Sequence, residues 1–147
     1  MQSDANINHM TEDFSSLLTA IQRVFPGTQL EPVSEQELQS LQQKHPGIPG
    51  HYLRFLNQVG FGSMGPGNFM IYNGLCEPEE IFDSETAKDS VGILFFGDDF
   101  SGCVVGFDTR NDWRIVAVDN GYREPCSTEL RTLGEFIAHR IANQETD

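Results

Sequence analysis

The sequence predicts an α+β domain, with helices packed on one side of an antiparallel sheet. Three observations carry that prediction. Between Val91 and Asp119, three apolar runs (Ile93–Phe96, Cys103–Phe107 and Trp113–Val118) follow one another closely. The polar turns between them are too short for a helical crossover, so the runs pair as a meander. Amphipathic stripes at helical spacing come before this region, and one more comes after it.

Taken in order, Met1 to Met10 reads as a polar tail, in front of a single domain over 11–142 and a short second tail over 143–147. A helix starts near Thr11, where Glu12 and Asp13 favour its positive end. Phe14, Leu17, Leu18, Ile21 and Phe25 form its buried stripe, and Pro26-Gly27 ends it. Ser34 and Glu37 form a capping-box pair that opens a second helix. Only Leu38 and Leu41 anchor that helix, which places it on the surface, and His45-Pro46-Gly47 stops it. Pro49 fits the first turn of a third helix with Tyr52, Phe55, Leu56 and Val59 inward, and Gly60 is its terminal cap.

Gly60 to Gly67 reads as an irregular connector. It lacks the Gly-Lys-Ser/Thr ending of a phosphate loop. A strand follows over 69–72 and ends at Asn73-Gly74; then come a short turn or helical piece over Glu77–Phe82 and a polar loop over Asp83–Ser90. In the meander, the first run is apolar at four consecutive positions, which predicts cover on both faces. In the third run, polar Arg114 shares a face with Val116 and Val118. Asn120-Gly121 is a turn signal and Tyr122–Thr128 reads as irregular. Thr132 and Glu135 form a second capping box, opening a last helix with Leu133, Phe136, Ile137 and Ile141 on one face.

Length and composition narrow the function. A chain of 147 residues, 38% hydrophobic and with 11 Phe, can bury a core as one domain. No apolar run approaches a membrane span of roughly 18–20 residues, and the polar N-terminus carries no secretion signal, so a cytoplasmic protein is expected. With 9 basic against 22 acidic residues, the net charge is −13. That balance disfavours nucleic acid and anionic membranes as partners and favours a basic one. Cys76, Cys103 and Cys126 form no metal-ligand spacing with one another or with the four histidines, and Cys103 reads as a small buried strand residue. The residues call for no cofactor and no metal.

Four carboxylates, Asp98, Asp99, Asp108 and Asp112, sit at or near the two meander turns. Such groups serve acid/base catalysis or cation binding, but Asp is also a common turn former. The two turns lie at opposite ends of the middle strand, so simple geometry does not gather the four. Gly62-Ser63-Met64-Gly65 has neither the spacing nor the context of a hydrolase elbow. His51 and His139 have no visible partner. Trp113, the only tryptophan, serves either as an anchor for a partner or as core packing.

The order of these pieces resembles a known family. Gly47-Ile48-Pro49 leads into Tyr52-Leu53 and Phe55-Leu56; a Gly-rich connector follows, then Gly97-Asp98-Asp99-Phe100-Ser101-Gly102, a strand ending at Asp119, and Thr132-Leu133-Gly134-Glu135-Phe136-Ile137. From Ser34 to Ile141 the chain resembles the SUKH superfamily, which includes the fungal cell-wall regulators of the Smi/Knr type and many bacterial proteins. The resemblance implies an α+β fold with no established catalytic site. It implies a protein-binding role, as a bacterial immunity protein that occludes a polymorphic toxin of the nuclease or deaminase class. The alternatives are a regulatory or scaffolding module of the Smi/Knr type and a small hydrolase. The expected contact surface is Asp98, Asp99, Phe100, Asp112 and Trp113; the oligomeric state is left open.

Overall fold

The structure, a computed structural model, describes residues 14–119 and 125–146. Its centre is a seven-stranded antiparallel sheet in which every strand lies beside its chain neighbour, β1 to β7. The strands are β1 (Gln29–Glu31), β2 (Phe61–Met64), β3 (Phe69–Cys76), β4 (Ile93–Asp98), β5 (Cys103–Asp108), β6 (Arg114–Asp119) and β7 (Pro125–Ser127). Helix α1 covers 14–24; α2 (Glu35–Lys44) and α3 (Gly50–Gln58) lie between β1 and β2. Two short helices, α4 (Pro78–Ile81) and α5 (Ser84–Ala87), precede β4, and α6 (Leu133–Thr146) closes the chain.

The predicted class and meander are present. The Thr132–Glu135 capping box forms in full, with the Glu135 N–H donating to Thr132 Oγ1 at 3.0 Å and the Thr132 N–H to Glu135 Oε1 at 3.1 Å. At α2 the Glu37 N–H donates to Ser34 Oγ at 3.3 Å, and the Glu37 carboxylate accepts the Ser34 hydroxyl at 3.1 Å rather than its backbone N–H. The first meander strand is covered on both faces because its residues alternate between two cores. Leu94 and Phe96 join a large cluster with Phe107, Ile115 and the stripes of α1, α3 and α6. Ile93 and Phe95 join a smaller one with Val104, Val116 and Val118, against which Ile81 and Phe82 pack. Each fully buried aromatic of the large cluster contributes roughly 1.5–3 kcal/mol relative to exposure. The rings of Tyr52 and Phe107 meet edge-on at 5.4 Å, and Phe136 of α6 lies 5.5 Å from Phe96.

Several expectations give way. The supposed connector after Gly60 contains β2, paired to both β1 and β3. Gly62 makes this strand: a Cβ there would lie 2.1 Å from the Gln29 carbonyl oxygen, so only glycine lets the two backbones pair. The strand expected to end at Asn73-Gly74 runs on to Cys76, through a register irregularity between Ile71 and Cys76. The polar stretch Asp83–Ser90 is not an open loop but α5 and a 3-10 turn, with Asp83 capping α5 by accepting the Thr86 N–H at 2.8 Å. Pro125–Ser127 is a strand rather than irregular. Residues 143–146 continue α6, because no Gly or Pro interrupts them. Pro49 is the residue before α3 rather than inside its first turn. Cover also comes from both sides of the sheet, since α4 and its successor Phe82 pack on the face opposite α3 and α6. Cys103 is half-buried rather than buried. The expected N-terminal tail, the helix start near Thr11 and the Asn120-Gly121 turn lie outside the described residues. Among those described, no helix is long and apolar enough to cross a membrane.

A bulge in β4 sets the geometry of the site. Phe95 pairs with Gly106 and Gly97 with Val105, so Phe96 and Gly97 together stand opposite Val105. The extra residue shifts the alternation, and Asp98 lands on the same face as Tyr72.

Candidate functional site

The β4–β5 turn is built by its own carboxylates. Asp98 Oδ1 accepts the Phe100 N–H at 2.8 Å, and its Oδ2 accepts the Tyr72 hydroxyl at 2.7 Å. Asp99 Oδ1 accepts three donors: the Ser101 N–H and hydroxyl, both at 2.9 Å, and the Cys103 N–H at 3.1 Å. Aspartate does this at turns because its short side chain reaches backbone donors two residues on. Partial burial works against the Asp99 charge. The bonds from Ser101 and Cys103, with the Arg140 charge nearby, outweigh it and hold the carboxyl below its ordinary value. Burial, then the bond to Asp98, pushes the Tyr72 phenol well up, so it stays a donor.

Phe100 stands at the tip with φ +67°, a left-handed conformation that a bulky residue adopts only when its surroundings impose it. Half of its surface is exposed; among the described residues only Val91 is a comparably exposed large hydrophobic residue.

Arg140 of α6 braces this end of the sheet. Its Nη2 donates to the Asn68 carbonyl and to Asn68 Oδ1, each at 3.1 Å, and its guanidinium lies 4.9 Å from the Phe69 ring centre. Burial pulls its pKa down, and the Asp99 charge opposes that pull.

The other predicted contact residues lie elsewhere. Asp112 and Trp113 sit in the β5–β6 turn, beyond the far end of β5, roughly 17 Å away at about 3.3–3.4 Å per strand residue. Both are left-handed, at φ +57° and +55°. Asp112 is exposed, whereas Trp113 is half-buried with its ring 5.9 Å from Phe107. Asp108 is spent on its own turn, accepting the Arg110 N–H at 3.1 Å. The structure therefore brings Asp98, Asp99 and Phe100 together and leaves Asp112 and Trp113 apart from them.

Sequence reasoning missed Tyr72 and Arg140. Neither had a local signal: Tyr72 meets Asp98 only because of the bulge, and Arg140 comes from the last helix. His139 is exposed near Asn143, while His51 is half-buried beside Phe107. Among the described residues, no group of three or more His, Cys, Asp or Glu is placed to hold a metal ion. No family model, no curated protein and no solved structure matches the chain.

Proposed function

We propose that this chain is a non-catalytic protein-binding domain of the SUKH type, an immunity protein that neutralises a basic toxin domain of the nuclease or deaminase class by covering its working surface. One observation carries the reading. Phe100 is an exposed aromatic on a turn fixed by five hydrogen bonds to the carboxylates of Asp98 and Asp99, within a chain of net charge −13. A rigid aromatic anchor among acidic groups suits a partner with an apolar socket rimmed by Lys and Arg. The long-range charge steers such a partner into contact. A hydrolytic role has less support, because the same two carboxylates are already engaged in shaping the turn. A regulatory module of the Smi/Knr type would use the same surface on a different partner.

The test is co-purification from cells expressing the tagged chain, followed by titration of the captured protein at low and high salt. The expected partner is basic, its gene lies beside this one, and its affinity falls as salt rises. Binding that is indifferent both to salt and to charge reversal at Asp98 and Asp99 would remove the proposed surface. A partner that is captured without any toxin activity would favour the regulatory reading.

A further inference from the structure

A second feature lies on the helical side, away from the sheet turns. Between α1, the start of α3 and the start of α6 is an open hollow of about 290 Å³. Its walls are mostly carbon, from Phe14 and Leu17 of α1 and Ala138 of α6. Its polar groups are His51, Thr132 and Glu135.

Two of these have settled roles. Thr132 Oγ1 accepts the Glu135 N–H, and Glu135 Oε1 accepts the N–H groups of Arg131 at 2.8 Å and Thr132 at 3.1 Å. Among the described residues, Glu135, itself exposed and capping α6 through Oε1, is the one carboxylate bordering the hollow. Burial, then the charge of Arg54, holds the His51 imidazole down to about 4 against the pull of Glu135, so near neutral pH it adds no positive charge.

The floor residue is the informative one. Gly134 sits in the first turn of α6, where glycine is a poorer helix former than alanine. Nothing in the backbone asks for it, since its φ is not left-handed and an added Cβ would meet Phe14 at an ordinary 3.4 Å. What its missing side chain does is keep the hollow open.

We infer that this hollow is a binding site for a small arylalkylamine-type molecule, its ring against Phe14, Leu17 and Ala138 and its ammonium group facing Glu135. A compact apolar cleft with one directing charge is the usual make-up of such a site. The inference is independent of the partner reading, and either can fail without the other.

The test is an amide NMR titration of the full chain with phenethylamine, 2-phenylethanol and 3-phenylpropionate. Phenethylamine should give saturable shifts concentrated at Leu17, His51, Gly134 and Ala138, the alcohol weaker ones, and the carboxylate none. Glu135→Gln keeps the cap acceptor and should bring the amine down to the alcohol's affinity, a loss of about tenfold. Gly134→Leu should abolish all the shifts; if its far-UV circular dichroism shows that it does not fold, Ala138→Trp from the exposed face of α6 takes its place. Three results would overturn the site: shifts spread over the acidic surface without saturation, shifts that survive the blocked hollow, or equal binding of amine and carboxylate.

Discussion

The two turns at either end of β5 are made of the same parts and put them to opposite uses. Each has aspartate bonding back to the chain, Asp98 and Asp99 at one end and Asp108 at the other, and each holds an aromatic residue in a left-handed conformation. At the β4–β5 end, Phe100 is left half-exposed. At the β5–β6 end, Trp113 folds inward onto Phe107, which also touches His51 and Tyr52. Backbone strain at a turn is therefore no mark of function by itself. At one end side-chain burial offsets it; at the other no burial visible in the structure does, and that imbalance makes Phe100 the better anchor.

The sharpest way to break this contrast is to truncate both rings. Trp113→Ala should destabilise the fold by about 2–3 kcal/mol, less than a fully buried tryptophan because the ring is half-exposed. Phe100→Ala should stay within about 0.5 kcal/mol of the parent. Urea denaturation compares them, and equal losses would end the distinction. In partner binding the order should invert: Phe100→Ala should lose about 2 kcal/mol, close to thirtyfold, and Trp113→Ala much less once folded protein is matched.

A subtler handle is pH. His51 shares Phe107 with Trp113, and its folded value of about 4 lies below its ordinary 6.5. Between those values the unfolded chain binds the extra proton, so stability is complete above pH 6.5 and is lost as pH falls toward 4. Discounted for partial exposure, the loss is about 1–2 kcal/mol. Tryptophan-fluorescence melts of the parent and His51→Gln across that window should diverge, with the variant flatter. Next in size, Phe100→Gly should relieve the left-handed strain and raise stability by up to about 1 kcal/mol while still weakening binding. The smallest effect belongs to Asp99. Its folded value lies below 3.8, so its contribution is present above that value and fades as pH falls through the lower one. Asp99→Asn should flatten only this acid limb in a pH series of melts.

The sequence made the helices and the meander readable because their signals are local. Ser34 with Glu37 and Thr132 with Glu135 are three residues apart, and Ile93–Phe96 announces two buried faces by itself. The short strands were hidden for physical reasons. Gln29–Glu31 has one apolar residue, and β2 carries the glycine that its pairing requires, which reads as a break. Of the candidate site, the shared turn of Asp98, Asp99 and Phe100 was legible. Tyr72 and Arg140 were not, because a bulge and a distant helix put them there. The hollow at Gly134 joins residues from three helices, and no spacing rule connects Phe14, His51 and Glu135.

Strand order has a kinetic side. From β2 onward the pairings join strands in chain order, with α4 and α5 intervening between β3 and β4, and the β4–β5 and β5–β6 closures are short hairpins with little entropy to overcome. Only β1 must wait for α2 and α3 to be laid down before its neighbour β2 exists. Pulse-labelled hydrogen exchange during refolding should find the meander amides protected early and those of Gln29 to Glu31 last, so assembly would finish at the edge farthest in sequence from the final helix.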